Sequence, residues 1–364
     1  MTGAPTCATR WESRPQNTRM NHATLGTWDA EAYLPPAALD EITDVRVHHP
    51  DRVAREARQR RRRRRLATDG RLVLVALDHP GRGVNEIRGD ALAMGDRHQY
   101  LARARRVLED PDLDGIVATP DVLEELLILS HLERRRRGHG FLDGRVMVGS
   151  MNRGGLAGTA FEMADTFTSM TAARIRELGF DGGKMMYRLD PQDPASGRTI
   201  EACARALDEL RRHKLPAFLE PLGVERSASG YAASKDAATL VRQCGIAAAL
   251  GESSIHLWLK VPIVDDLARV CRATTLPLLL LGGPARGTAE ETLRDFGTGL
   301  RAGPRVRGAI IGRNLLYPGA ADPLPLSRAL TAMVHRGADV TQAVESLRRM
   351  PGPRAVTGRA SARG

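Results

Sequence analysis

Short runs of apolar residues recur along the chain, and between them lie longer stretches whose apolar residues recur at helical spacing. Most runs are bounded by glycine, proline or polar residues. A continuous apolar run of about 4–8 residues with such boundaries is typical of a parallel strand buried on both faces. We predict eight strands, over residues 72–77, 115–119, 146–149, 182–187, 217–220, 255–260, 276–281 and 308–312.

The stretches between the strands predict the helices that connect them. Eight strands alternating with helices over about 265 residues fit a (β/α)8 or TIM barrel, which typically takes about 250 residues. An open doubly wound sheet has the same alternation, but no GxGxxG dinucleotide fingerprint follows the first strand. We therefore predict a TIM barrel. Its predicted helices cover residues 97–108, 121–136, 168–178, 200–213, 234–250, 265–273, 288–302 and 325–335.

The segments outside the barrel differ in composition. A short helix is predicted over residues 36–48, and a helix-compatible stretch over residues 51–66 ends in the arginine run Arg61–Arg65. We interpret this stretch as an exposed, arginine-rich helix that leads into the barrel, with an anion-binding arm as the alternative. The predicted organisation is disorder over residues 1–35, a helical basic extension over 36–68, the barrel over 69–340, and a helix turn with a loose tail over 341–364.

Composition narrows the possible functions. The chain has 364 residues, 42% of them apolar and 4% aromatic, which predicts a globular protein with an aliphatic core. Its formal net charge of +11 is compatible with an anionic partner, which could be nucleic acid, a membrane surface or a phosphorylated substrate. Much of that charge lies in two arginine runs, Arg61–Arg65 and Arg134–Arg137, within a generally arginine-rich chain, so we do not predict a nucleic-acid partner.

Targeting and metal-binding signals are weak. We find no apolar run of about 18 residues and no apolar segment at the amino terminus that would resemble a secretory signal. The cysteines are far apart and lack metal-ligand spacing, as expected of reduced thiols in a cytoplasmic protein without a bound metal. They are Cys7, Cys203, Cys244 and Cys271.

Lysine is scarce, and its positions are informative. The chain has 54 lysines and arginines but only four lysines, Lys184, Lys214, Lys235 and Lys260. Lys184 and Lys260 each lie near the end of a predicted strand. Burial lowers the pKa of a lysine, and a neutral amine can attack a carbonyl carbon to form a Schiff base. The alternative is a solvated lysine at the edge of a sheet.

Four predicted strands end in residues suited to this chemistry: Asp78, Lys184, Glu220 and Lys260. In TIM barrels the active site lies at the carboxyl ends of the strands. We predict that Lys260 is the nucleophile, that Lys184 lowers its pKa or holds a substrate anion, and that Glu220 or Asp78 moves protons. The alternative is a pair of structural ion pairs, Lys184–Glu220 and Lys260–Asp78.

Glycines and an arginine follow the last two predicted strands. Gly282 and Gly283 follow the seventh strand, and Gly312 and Arg313 follow the eighth. Barrels frequently bind phosphate at these two loops. We therefore predict that these four residues bind a phosphate group.

A long polar loop follows the third predicted strand. It begins with Asn152 and Arg153, which we predict to bind substrate, and it continues to Ser169. Such a loop can act as a lid over an active site. An ordinary connection to a helix capped by Thr168 is the alternative.

Several motifs resemble those of class I, Schiff-base aldolases of the (β/α)8 type, in particular the tagatose-1,6-bisphosphate and archaeal-type fructose-bisphosphate aldolases. A further set resembles a bacterial deoxyribose-phosphate-aldolase-like barrel family associated with myo-inositol catabolism. The first set is ALDH at 76–79, DGGKMM at 181–186, FLEP at 218–221, LWLKVP at 257–262, LLLGG at 279–283 and IIGRN at 310–314. The second set is SMNRGG at 150–155, FEM at 161–163 and TLPLLLLGG at 275–283.

The resemblance implies roles for the same residues. Lys260 corresponds to the Schiff-base lysine, Glu220 to the acid/base glutamate, Lys184 to a substrate-contacting lysine and Asp78 to the strand-one aspartate. It also implies a homo-oligomeric, metal-independent lyase without a cofactor, which cleaves a phosphorylated ketose or keto sugar acid, with 2-deoxy-5-keto-gluconate 6-phosphate as the expected substrate. The alternatives are a non-catalytic sugar-phosphate-binding or regulatory barrel and another Schiff-base lyase, such as a deoxyribose-phosphate or tagatose/fructose-bisphosphate aldolase.

Overall fold

The computed structural model describes residues 28–227, 230–283 and 287–349. Nine strands occur within these residues, and eight of them match the predicted runs. The ninth is a short strand that no prediction included. The strands are β1 (Leu72–Leu77), β2 (Gly115–Ala118), β3 (Val146–Ser150), β4 (Gly182–Leu189), β5 (Ala217–Ser227), β6 (Gly230–Ala233), β7 (Leu257–Pro262), β8 (Leu278–Leu281) and β9 (Val306–Ile311).

Helices surround the strands, and two further helices precede β1. A short 3₁₀ turn, Pro80–Arg82, follows β1 directly. The helices are α1 (Ala37–His48), α2 (Asp51–Gln59), α3 (Arg97–Val107), α4 (Pro120–Arg137), α5 (Ala172–Glu177), α6 (Ala195–Arg212), α7 (Ala237–Ala248), α8 (Leu267–Ala273), α9 (Ala289–Leu300), α10 (Arg313–Leu316), α11 (Pro323–His335) and α12 (Val340–Arg349).

The parallel strands close into a barrel. Each pairs with its sequence neighbours in the order β1, β2, β3, β4, β5, β7, β8, β9, and β9 pairs in turn with β1. The predicted TIM barrel is therefore confirmed. The remaining strand, β6, pairs antiparallel with the far end of β5 and forms a hairpin outside the closed ring.

Aliphatic side chains fill the barrel. Along β1 the side chains alternate, so that Leu72, Leu74 and Ala76 join the interior cluster while the residues between them pack against the helices. Leu66, Ala67 and Trp258 pack against this cluster. The other members of the interior cluster are Val117, Val146, Val148, Phe218, Leu279 and Ile310.

The arginine run does not continue α2, so the interpretation as an exposed helix over residues 51–66 needs correction. The helix ends at Gln59, and Arg60 has an extended ψ of 139°. The chain then crosses the amino-terminal end of the barrel, because the arginine side chains find acceptors there. The acceptors of Arg60, Arg62 and Arg63 lie just before β2, β3 and β4. They are Asp114, Gly144, Arg145, Gly179 and Asp181.

Disorder was predicted for residues 1–35, of which residues 1–27 lie outside the described residues. From residue 28 onward the chain is folded against the barrel. The Trp28 backbone N–H donates to Ala320 O at 2.8 Å, and its indole N–H donates to Gln99 at 2.8 Å. Ala30 and Leu34 are buried. At the other end α12 extends to Arg349, and the predicted tail lies outside the described residues.

Most strands differ from the prediction by one or two residues at an end, and the differences at two strands change the description of the fold. The sixth predicted strand began at Ile255, but β7 begins at Leu257 because His256 adopts a left-handed φ of 66° and the preceding residues form a turn. The fifth continues well past Glu220 and turns back as β6. Within the described part of the chain, no helix is long and apolar enough to cross a membrane.

Candidate active site

The four predicted polar side chains meet at the carboxyl end of the barrel. The Lys260 Nζ lies 2.8 Å from Glu220 Oε2, and the Lys184 Nζ lies 2.8 Å from Asp78 Oδ2. Lys184 also lies 3.3 Å from the same Glu220 oxygen. One carboxylate oxygen therefore contacts both lysines. The proposed structural pair Lys260–Asp78 does not occur; Lys260 pairs with Glu220 instead.

Strand register explains this convergence. Leu219 on β5 pairs with Leu259 on β7, so the next residues, Glu220 and Lys260, stand side by side. Because side chains alternate along a strand, the inward residues below them are Phe218 and Trp258. Their ring centroids are 6.3 Å apart. The polar groups thus lie directly above an apolar floor.

The two lysines differ in their electrostatics. Lys260 and Lys184 are both buried, with exposed fractions of 6% and 1%. Burial lowers the pKa of Lys260; the Glu220 carboxylate opposes this effect, and the positive charge of Lys184 adds to it, so that the pKa is lowered. Burial acts on Lys184 in the same direction, but the carboxylates of Asp78 and Glu220 outweigh it and raise its pKa. Lys260 is therefore the lysine that loses its proton more readily.

The two carboxyl groups are ionised in this setting. Burial alone would raise the pKa of Glu220, but the charges of Lys260 and Lys184 outweigh it and lower the pKa to about 2. Burial likewise opposes ionisation of Asp78, and Lys184 holds its pKa well below the usual value. Glu220 is thus placed and charged to accept a proton.

His79 lies beside Asp78 and packs against the loop after β9. A Cβ atom added to Gly312 would lie 2.3 Å from the His79 ring, so only glycine fits there. Burial lowers the pKa of His79 to about 3, so the ring is neutral. The described residues contain no group of three or more histidine, cysteine, aspartate or glutamate side chains arranged to hold a metal ion.

Arg313 and Arg82 extend the site on neighbouring loops. Arg313 follows β9, as predicted, and Arg82 ends the turn after β1. Within the part of the chain that the structure describes, each has a buried Nε without a hydrogen-bond partner, and neither forms an ion pair. Sequence reasoning missed Arg82 because it lies four residues beyond Asp78, in a chain where arginine is common. The sequence did indicate that Arg82 lies shortly after the first strand, and therefore at the end of the barrel where active sites lie.

Gly282 and Gly283 follow β8 at the same end of the barrel. The Gly282 carbonyl accepts a hydrogen bond from the Asn314 side chain, which ties the last two loops together. Gly283 has a φ of 66°, and none of the described residues lies near the position of an added Cβ. The left-handed conformation favours glycine. The phosphate-binding role of both glycines stays a prediction.

Asn152 and Arg153 are bonded within the protein. The buried Asn152 amide donates to Asp165 at 2.8 Å and to the Met186 carbonyl, and it accepts from the Met186 N–H at 2.9 Å. These bonds fix the end of β4. Arg153 donates to Thr168 at 3.1 Å. A substrate-binding role for either residue stays a prediction.

The loop that these residues begin lies across the mouth of the barrel. The Ala157 N–H donates to Arg82 O at 3.0 Å, on the β1 side. Glu162 forms a buried ion pair with Arg188 at the end of β4. The following helix begins with Thr171 as its cap, rather than with Thr168. A lid role for this loop stays a prediction, and the Glu162–Arg188 pair is a feature that the sequence did not indicate.

Solved TIM-barrel structures share this fold. A solved structure of a Schiff-base-forming fructose-1,6-bisphosphate aldolase is 18% identical, with a TM-score of 0.51, and the match covers 78% of this chain and 100% of that one. An archaeal fructose-1,6-bisphosphate aldolase is 19% identical, with a TM-score of 0.52 and the same coverage. At this level of identity the likeness concerns the fold alone.

The chain belongs to the Cgl0159-like family, whose model matches residues 70–329. The crystal structure of Cgl0159 from Corynebacterium glutamicum is 34% identical, with a TM-score of 0.77, and the match covers 83% of this chain and 98% of that one. A protein of Saccharolobus solfataricus described as an uncharacterized aldolase is 27% identical over 159 residues. That match spans 43% of this chain and 55% of the archaeal protein.

Proposed function

We propose that the protein is a class I aldolase in which Lys260 forms a Schiff base with the carbonyl carbon of its substrate. The observation that carries this proposal is the contrast between two buried lysines that share one carboxylate oxygen. The pKa of Lys260 is lowered and that of Lys184 is raised. The description of the archaeal relative as an aldolase supports the same reaction class.

Schiff-base formation uses the Lys260–Glu220 contact of 2.8 Å. Glu220 takes a proton from the Lys260 ammonium group, and the neutral amine attacks the substrate carbonyl carbon. The carbinolamine oxygen then receives a proton from Glu220 and leaves as water. The product of this step is a protonated imine on Lys260, and Glu220 is again a carboxylate.

Bond cleavage follows from the positive charge of the imine. Glu220 removes the proton from the hydroxyl group on the carbon two bonds from the imine carbon. The electrons of the broken carbon–carbon bond form an enamine on Lys260, and an aldehyde leaves. Protonation of the enamine and hydrolysis of the resulting imine release the ketone product. Lys184, held charged by Asp78, stabilises negative charge that develops on the substrate oxygen.

The proposed substrate is a phosphorylated ketose or keto sugar acid. Gly282, Gly283 and Gly312 provide backbone N–H groups, and Arg313 a guanidinium group, for the phosphate. The more specific substrate 2-deoxy-5-keto-gluconate 6-phosphate is a prediction from sequence resemblance. The descriptions of the relatives compared above name no inositol compound, so this identity requires direct measurement.

Borohydride trapping tests the mechanism directly. A keto substrate and borohydride are expected to attach the substrate carbon to Lys260, and mass mapping of peptides locates the adduct. Lys260→Ala should form no adduct and lose turnover, while Lys235→Ala, which removes an exposed lysine, should behave as the wild type. Undiminished turnover in Lys260→Ala would contradict the proposal. Phosphate binding without any adduct would favour a non-catalytic sugar-phosphate-binding barrel.

A further inference from the structure

Three basic side chains at the mouth of the barrel form ion pairs with carboxylates. The pairs are Lys260–Glu220, Lys184–Asp78 and Arg188–Glu162. Arg82 and Arg313 form neither an ion pair nor a side-chain hydrogen bond with the described residues, whereas Arg153, which also lacks an ion pair, donates to Thr168.

The two unpaired arginines lie on loops that touch each other. Their strands, β1 and β9, are hydrogen-bonded neighbours in the barrel. Gly312, next to Arg313, packs against the His79 ring, and the His79 carbonyl accepts the Arg82 N–H at 3.0 Å. Burial lowers the pKa of Arg313, and the charge of Arg82 is the next cause.

Each of these guanidinium groups also has a buried N–H donor that forms no hydrogen bond with the described residues. The Nε atoms of Arg82 and Arg313 are buried without an acceptor among the described residues, and neither side chain donates another hydrogen bond there. The Arg60 Nε is also unpaired there, but its other nitrogens donate to Arg145 O, Gly179 O and Asp181. A buried donor without a partner destabilises the folded chain, and a charged one does so more strongly. Glu86, on the same loop as Arg82, forms no ion pair with either arginine within the described residues. An anion bound between them would accept hydrogen bonds from both guanidinium groups and offset the repulsion between their positive charges.

We propose that Arg82 is a substrate-binding residue that holds, together with Arg313, a doubly charged phosphate group of the substrate. This inference rests on the proposed aldolase function and names the charge of its substrate. A phosphate monoester carries about −1.5 to −2 charges at pH 7, close to the two uncompensated positive charges. A carboxylate group carries only one. The planar guanidinium fork also suits two phosphate oxygens at once.

The test compares two small ketones that differ only in the phosphate group. Dihydroxyacetone phosphate and dihydroxyacetone are each trapped on Lys260 with borohydride, and the concentration that gives half-maximal labelling is measured. In the wild type the phosphorylated ketone should label at the lower concentration. Arg82→Gln should reduce this preference by about 10–100-fold through the phosphorylated ketone alone, since it removes a charge-assisted hydrogen bond.

Two variants serve as controls. Arg65→Gln removes the same charge from an exposed position at the other end of the barrel, and it should leave the preference unchanged. Arg82→Lys keeps the charge but loses the fork, so it should retain part of the preference. An unchanged preference in Arg82→Gln that still labels on Lys260 would overturn the inference.

Failure of the proposed aldolase function would look different. In that case neither ketone would label Lys260 in the wild type. Calorimetric titration with inorganic phosphate then tests separately whether Arg82 contributes to anion binding. Phosphate binding that weakens in Arg82→Gln but not in Arg65→Gln would support the anion site, and phosphate binding equal in all three proteins would overturn it.

Discussion

The two ends of the barrel use arginine in opposite ways. At the amino-terminal end the Arg60 guanidinium is fully buried and donates to Arg145 O, Gly179 O and Asp181. At the carboxyl end the side chains of Arg82 and Arg313 form no hydrogen bond or ion pair with the residues that the structure describes. The Arg60 Nε also lacks an acceptor among these residues, but the other two nitrogens of its guanidinium are bonded and hold the fold together. The guanidinium groups of Arg82 and Arg313 have no such bonds to the described part of the chain and are available to a ligand. The net charge of +11 does not distinguish these uses.

The same contrast applies to the carboxylates. At the base, Asp114 accepts from Arg63 and from the Val73 N–H, and Asp181 accepts from Arg60 and from the Met147 N–H, so each carboxylate bonds both a side chain and a strand. At the mouth, the ion pairs that Glu220 forms with the described residues are to the amines of Lys184 and Lys260. We expect substitutions at the mouth to change activity and those at the base to change stability.

The largest effect is expected from Glu220→Gln. The amide cannot accept the proton from Lys260 or from the substrate hydroxyl, so turnover should fall by about 10²–10⁴-fold. Steady-state kinetics with a cleavable keto sugar phosphate measure this. Glu225→Gln is the matched control, because Glu225 is exposed further along the same strand. Equal turnover in the two variants would remove Glu220 from the mechanism.

At the base, Arg60→Ala should destabilise the fold. The change removes a buried charge and leaves Asp181 and two carbonyl groups with fewer donors, which should cost about 3 kcal/mol in the free energy of unfolding. Denaturant unfolding measures this loss. Arg64→Ala, at an exposed position of the same run, should change stability little. Similar losses of unfolding free energy in both variants would mean that the buried contacts of Arg60 do not stabilise the amino-terminal end of the barrel.

The strands and the polar residues at their ends could be predicted because both signals are local. Apolar runs mark buried strands, and parallel strands bring Asp78, Lys184, Glu220 and Lys260 to one end whatever the details of packing. The identity of the ion pairs could not be predicted in the same way, because it depends on register and side-chain conformation. The sequence is equally compatible with Lys260 facing Asp78 or Glu220.

The missed features depend on distant partners. Arg60 and Asp181 are 121 residues apart, so nothing near the arginine run indicates that it leaves the helix. The β5–β6 hairpin continues a buried strand with the polar residues Glu225 and Arg226, which do not form an apolar run. Arg82 becomes informative only when its lack of a partner is visible.

The stability of the fold should depend on pH through His335, at the amino-terminal end of the barrel. His335 contacts Asp69 and Asp114 at 2.8 and 3.1 Å; burial opposes its charge, but these carboxylates raise its pKa to about 9. The pKa of His335 is higher in the folded chain than in the unfolded chain, so its protonation stabilises the fold. This contribution to the free energy of unfolding is fully present below pH about 6.5 and is lost as the pH rises through about 9. The loss should amount to about 1–3 kcal/mol.

Unfolding free energies between pH 6 and about 9.5 measure this effect, which scales with the difference between the two pKa values. His335→Gln should remove most of the decline. His139→Gln changes an exposed histidine and should keep the wild-type decline. A decline of the same size in His335→Gln would place its origin elsewhere in the molecule.

The smallest effect is expected at the mouth of the barrel, in the pH dependence of Schiff-base formation. Labelling of Lys260 should speed up as the pH rises, since the neutral amine is the nucleophile. Lys184→Met removes a positive charge that lowers the pKa of Lys260, so its profile should move to higher pH. Glu220→Gln removes a charge that raises that pKa, so its profile should move to lower pH. Opposite shifts of about one unit or less would show that both neighbours tune one amine; shifts in the same direction would contradict this.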